Sequence, residues 1–116
     1  MNIHIRKILW VCLFLFLSAP VLIEAQEEDI LLNISRANES YHEKDYPSAA
    51  KIFEDLIAQG QHNGYLYYNL GNTYMRLGKT GHAILNYLHA KTLLPRNENL
   101  DANLRYAISL TDDQLH

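Results

Sequence analysis

Four groups of residues in this chain carry recognisable chemistry: a Gly-Lys-Thr run, six histidines, two Asn-x-Ser triplets and eight tyrosines. Gly78-Lys79-Thr80 has the closing residues of a phosphate-binding loop, in which backbone N–H groups and a lysine cradle phosphates. That loop also needs a glycine five residues earlier and a strand before it. Thr73 stands at the first place and a helical pattern at the second, so the run reads as a turn. His4, His42, His62, His82, His89 and His116 are spread along the chain without an i, i+4 pair or a cysteine neighbour, and no metal site is expected. No Ser/His/Asp grouping can be specified, and no enzyme or cofactor is expected either. Asn33-Ile34-Ser35 and Asn38-Glu39-Ser40 match the glycosylation triplet, but both fall inside a predicted helix and read as coincidence.

The tyrosines divide by helical phase. Most serve packing, whereas Tyr41, Tyr68 and Tyr106 share the phase of Asn38 and Asn72, with Arg76 one turn beyond Asn72. A phenol offers apolar area together with a hydrogen bond, which suits contact with a peptide. On this reading Asn38 and Asn72 bond to peptide backbone, the tyrosines stack or pack, and Arg76 meets an acidic group. The same residues also read as a solvated polar face that needs no ligand.

The elements that must position them are organised around Tyr67–Pro95. This stretch predicts two short helices joined by a tight turn at Gly78 and ended by Pro95. Leu70, Gly71 and Tyr74 lie on one face of the first helix. Ala83, Tyr87 and Ala90 lie on one face of the second, at i, i+4, i+7. Gly71 and Ala83 are small where two helices cross closely, and Tyr74 and Tyr87 fill the space beside them. Ala49 and Ala83 are 34 residues apart, as are Phe53 and Tyr87, Ala37 and Gly71, and Asp45 and Lys79. A less regular first copy therefore precedes, over about 30–60, with the second over about 64–95. The first helix of that first copy runs from Ile30 to about Glu43, with Ile30, Ile34, Ala37 and Tyr41 on one face and a polar lead-in at residues 26–29. Lys44 and Asp45 turn the chain. Pro47 opens a second helix to about Gln59, which buries Ala49, Phe53, Leu56 and Ile57, and Gly60 ends it. Beyond Pro95, Asn97 caps a third helix over about 98–110 with the stripe Leu100, Leu104, Ala107 and Ile108, and residues 111–116 form a polar tail.

With 116 residues there is room for one small domain, and a net charge of -3 lacks the basic footprint of a nucleic-acid binder. Residues 1–25 are of another kind. His4, Arg6 and Lys7 precede an apolar run from Ile8 to Leu17, Ser18, Ala19 and Pro20 break it, and Ala25 precedes a plausible cut. This is the layout of a secretory signal peptide, with an uncleaved membrane anchor as the alternative. The single cysteine, Cys12, lies in that run, so a cleaved chain has neither a disulfide nor thiol chemistry. Either way the remainder is expected outside the cytoplasm, periplasmic or associated with the cell envelope.

The order Leu70-Gly71, Tyr74, Gly78, Ala83, Tyr87, Ala90, Pro95, with its period, resembles the tetratricopeptide repeat. More narrowly, residues 37–46, 64–78, 82–95 and 98–107 are similar to the repeat region of the bacterial aerotolerance-associated BatE-like proteins. The resemblance implies an all-α, right-handed superhelix over residues 29–110: two helix-turn-helix units and a capping helix, with contacts made along the concave surface. It also implies a non-enzymatic, exported adaptor for a protein or peptide segment, such as one from another envelope protein. The alternative it carries is a truncated soluble part of a membrane-anchored subunit, acting in self-association or complex assembly. Another branch of the repeat family clamps two carboxylates with inner-face asparagines and flanking basic residues. Asn38 and Asn72 match the asparagines, but Ile34, Ala102 and Tyr106 occupy the basic places, so that clamp is not expected.

Overall fold

The computed structural model describes the backbone of residues 2–114, and the side chains of all of these except residues 17–20 and 114. It is all-α, with five helices among the described residues: α1 Ile3–His42, α2 Tyr46–Ala58, α3 Gly64–Arg76, α4 Thr80–Leu93 and α5 Glu98–Gln114. The chain divides into two units, Met1–Leu32 and Asn33–His116.

The first unit is the amino-terminal part of α1. Its apolar side chains, among them Trp10, Phe14 and Phe16, are exposed, and by length and composition α1 is long and apolar enough to cross a membrane. The expected polar lead-in at residues 26–29 is helical, because residues 21–42 contain neither glycine nor proline to stop the helix. The bond after Ala25 therefore lies inside α1, and the helix expected to open at Ile30 is continuous with the preceding segment.

Within the second unit, helix boundaries follow local chemistry. Asp45 caps α2, its carboxylate accepting from the Ser48 N–H at 3.3 Å, with Pro47 in the first turn. Asn63 caps α3 through the Tyr65 N–H at 2.9 Å, and Asn97 caps α5 through the Leu100 N–H at 3.0 Å. Three helices end in one way. After α2, the Gly60 N–H donates to Ile57 O at 3.0 Å and the Gln61 N–H to Leu56 O at 3.2 Å. Gly78 and Lys79 repeat this after α3, as do Lys44 and Asp45 after α1. Each end is a Schellman motif, which needs a left-handed residue. Gly60 at φ 92° and Gly78 at φ 72° adopt it freely, whereas Lys44 at φ 63° adopts it against the steric preference of an L side chain.

From α2 onward, each helix packs on the next. α2 packs on α3, α3 on α4 and α4 on α5, and α5 also touches α3. The α3–α4 contact turns on Gly71, where an added Cβ would lie 2.6 Å from both Cδ1 and Cε1 of the Tyr87 ring. The missing side chain is what admits that ring, leaving Tyr87 only 1% exposed. Phe53 and Leu56 are the large buried side chains of α2, and Leu100, Leu104 and Ala107 those that α5 buries. Buried Thr73 satisfies its hydroxyl by donating to Asn69 O at 2.7 Å.

Two expected core positions lie elsewhere. Ile57 is half-buried, and Ile108 is 40% exposed. Ile108 stands 34 residues after Tyr74, which is met from both sides, by Glu54 of α2 and by the His82 ring of α4. Among the described residues no helix follows α5 to complete the burial of Ile108. The expected polar tail is also shorter at the least, because α5 continues through residues 111–114, with the Thr111 hydroxyl turned back onto Ile108 O at 2.7 Å. The remaining tail residues, Leu115 and His116, lie outside the described residues.

Candidate functional site

Three helices of the second unit surround one hollow of about 460 Å³. The last turns of α1 supply Tyr41. α3 supplies Asn72, Met75 and Arg76, at i, i+3, i+4, and α5 supplies Asn103, Tyr106 and Leu110, at i, i+3, i+7. Tyr87 of α4 reaches it from beneath α3, through the gap that Gly71 leaves. A smaller hollow of about 140 Å³ adjoins across Asn72 and Tyr41 and is lined also by Asn38, His42, Phe53 and Asn69.

A hydrogen-bonded network forms the floor. The Tyr87 hydroxyl donates to Asn72 Oδ1 at 2.7 Å, and Asn103 Nδ2 donates to the same oxygen at 3.0 Å. Asn103 Nδ2 also donates to the Tyr68 hydroxyl at 3.2 Å. These bonds join α3, α4 and α5 under the hollow. Burial pushes the Tyr87 hydroxyl's pKa well up, with the nearby Tyr68 and Tyr41 adding to it, so at neutral pH it is a neutral donor.

The rim differs. Arg76 is exposed, and its Nε donates to the Tyr41 hydroxyl at 3.3 Å, a contact that pushes the guanidinium pKa up and keeps it charged. Tyr106 is 60% exposed and offers its ring at the edge. Tyr41 is half-buried, with its ring edge-on to Tyr46 at 5.3 Å between centroids. Among the described residues neither hollow is lined by a carboxylate, and Arg76 is the one full cation in the larger. The arrangement can hold a carboxylate or carbonyl by donated hydrogen bonds and an apolar group by stacking.

Of the six residues singled out in the sequence, Tyr41, Asn72, Arg76 and Tyr106 line the larger hollow and Asn38 the smaller. Tyr68 lines neither of the two; it is half-buried, and its hydroxyl accepts the Asn103 bond. Asn103, Met75 and Leu110 line the larger hollow without having been singled out. Two of them had a signal: Asn103 stands 34 residues after Asn69, and Met75 stands 34 after Tyr41. The signature residues Leu70, Gly71, Tyr74, Ala83, Tyr87 and Ala90 are buried. Tyr74 donates its hydroxyl to Glu54 of α2, on the side of α3 away from the network.

Among known proteins, no family model matches the chain, and no curated protein matches it.

Proposed function

We propose that the chain is a non-enzymatic helical-repeat adaptor of the tetratricopeptide type, which holds an extended protein segment in the hollow between α1, α3 and α5. One observation carries this reading: exposed Arg76 and Tyr106 flank a hollow of about 460 Å³ that, among the described residues, no acidic side chain lines. The scaffold reading is supported by residues 34 apart in equivalent states. Lys44 and Gly78 both take the left-handed turn, Ala37 and Gly71 are both buried, and so are Phe53 and Tyr87. Residues 1–25 act as an export signal or anchor in this proposal, supported by an apolar helix with exposed side chains behind Arg6 and Lys7. The partner is then a segment of another envelope protein.

Arg76→Glu and Tyr106→Ala test the site. Both side chains are exposed, so their loss leaves the core intact. The measurement is the affinity of the full-length chain, in detergent micelles, for a fluorescein-labelled pool of octapeptides of random sequence. Each variant should weaken binding while the unfolding temperature stays at the parent value. Unchanged binding by both variants rules out this hollow as the binding site.

A further inference from the structure

We infer that the outward side of α4 is a membrane-docking face, whose exposed leucines enter the interfacial layer of a bilayer while Lys79 and Arg96 meet the phosphates of anionic lipids. The inference goes beyond the peptide-holding role and rests only on the anchor reading of residues 1–25.

A helix that buries one side usually shows charged and polar residues on the other. α4 departs from this. Ala83, Tyr87 and Ala90 are buried, and at the opposite phase stand Gly81, Leu85, Leu88 and Thr92, at i, i+4, i+7, i+11. Leu85 is 56% exposed and Leu88 48%. At the carboxyl end of α4, exposed Leu93 and Tyr65 border a shallow hollow of about 330 Å³ whose lining includes Arg96. Tyrosine and arginine, each with an apolar body and a polar tip, suit the headgroup layer of a bilayer.

Charge names the occupant. Between Asp55 and Glu98 the sequence holds no Asp or Glu, but it holds Arg76, Lys79, Lys91 and Arg96. All 13 acidic residues therefore lie outside α3 and α4. Arg76 belongs to the hollow described above, and Lys91 is paired with Asp101 of α5 at 2.6 Å. Lys79 just before α4 and Arg96 just after it are exposed, and among the described residues neither is in an ion pair. They bracket the leucines, so an anionic surface complements this side of the molecule. A second copy does not, because α4 against α4 would set cation beside cation with no acid on either helix to relieve it. The bilayer is favoured over an acidic protein because α1 is long and apolar enough to cross a membrane. Retained as an anchor, it keeps the chain beside a lipid surface at high effective concentration, where a few leucines and two cations suffice to dock.

The test places the full-length chain, one copy per disc, in nanodiscs of phosphatidylcholine with or without about 30% phosphatidylglycerol. An environment-sensitive fluorophore is attached at Gly81→Cys in a Cys12→Ser background, since an added Cβ at Gly81 meets nothing within 4 Å. Separate samples carry it at native Cys12, to report α1, and at Ser109→Cys on α5, one turn from Tyr106, as the control. Quenching by spin-labelled lipid is compared with quenching by aqueous iodide. With phosphatidylglycerol, position 81 should be quenched by lipid and shielded from iodide, and position 109 the reverse. Position 12 should be quenched by lipid in both compositions. The docked-to-free ratio at position 81 should fall about fivefold for Lys79→Gln and about fivefold again on adding Arg96→Gln, the worth of one cation each at an anionic surface. Leu85→Gln with Leu88→Gln should abolish docking; if that pair lowers the far-UV helicity, the two charge variants decide. Position 81 open to iodide in phosphatidylglycerol discs overturns the docking face and leaves the anchor standing. Shielding from iodide without lipid quenching shows that protein covers α4, and overturns it as well. Absence of lipid quenching at Cys12 overturns the anchor reading, and the inference with it.

Discussion

Gly71→Ala sets two known effects against each other at a site where their sum has a definite sign. Within a helix, alanine is preferred to glycine by up to about 1 kcal/mol. At Gly71 the new Cβ would sit 2.6 Å from Cδ1 and Cε1 of Tyr87, against roughly 3.5–4.0 Å for relaxed carbon contacts. The ring cannot retreat freely, because it is 1% exposed and its hydroxyl is bonded to Asn72. Overpacking of this kind costs about 1–3 kcal/mol, and losing the Tyr87–Asn72 bond adds about 1 kcal/mol. The net expectation is a loss of about 1–3 kcal/mol. Gly81→Ala is the control: Gly81 is also helical, in α4, and an added Cβ there meets nothing within 4 Å. It should be neutral or stabilising by a few tenths of a kcal/mol or more, up to about 1. Urea unfolding followed by far-UV circular dichroism measures both. In a double-mutant cycle, Tyr87→Leu should relieve much of the Gly71→Ala penalty, because the ring is the obstacle. If Gly71→Ala proves as stable as Gly81→Ala, the close approach of Tyr87 is not what position 71 requires, and the account of the α3–α4 contact fails.

Lys44→Gly should stabilise the chain by about 1 kcal/mol, because Lys44 is exposed and held at φ 63°, a conformation costly for an L residue and free for glycine; a lowered urea midpoint would contradict this. Asn72→Ala should cost about 1–3 kcal/mol of unfolding free energy, since it strips the buried Tyr87 hydroxyl of its acceptor, so binding losses in that variant must be corrected for stability. Tyr74 ties α3 to α2, and burial, then its bond to Glu54, push its pKa up from 10.0 to about 12. A raised pKa means that the folded chain holds the proton more tightly than the unfolded one, so this stabilisation is full below pH 10 and is lost as pH rises toward about 12. Unfolding free energies across that alkaline range should fall less steeply for Tyr74→Phe than for the parent, and a residual slope should persist, because Tyr87 and Lys51 are raised in the same direction.

Much of the scaffold is legible in the residues themselves because helix ends are local chemistry. Asp45, Asn63 and Asn97 accept hydrogen bonds from the first-turn amides beside them, and Gly60 and Gly78 take the left-handed turn at which α2 and α3 stop. Burial of Ala83, Tyr87 and Ala90 follows from a period that any α-helix imposes. The ends of α1 and α5 are less legible for the same reason. Residues 21–42 and 98–114 hold no glycine or proline, so polarity at residues 26–29 or 111–114 does not stop the helix there. Exposure of Ile108 depends on what packs beyond α5, which its own spacing does not contain.

The candidate site divides along the same line. Types and period alone bring out Tyr41, Asn72, Arg76 and Tyr106, because residues 34 apart, or one turn apart, recur on one side of successive helices. The sequence by itself does not distinguish Tyr68, whose hydroxyl accepts from Asn103, from Tyr106, which stands open at the rim; both show the same residue type and phase. Nor does it reveal that Asn72 is as much a bond between helices as a surface group. Those distinctions belong to tertiary structure, since a hydrogen bond between residues 31 positions apart, as from Asn103 to Asn72, exists only once α3 and α5 lie side by side. Local sequence sets where most of the helices begin and end and which face turns inward. Only their packing decides which polar atoms are used within the fold and which remain for a partner, because that choice is made by distance across helices and not by spacing along one.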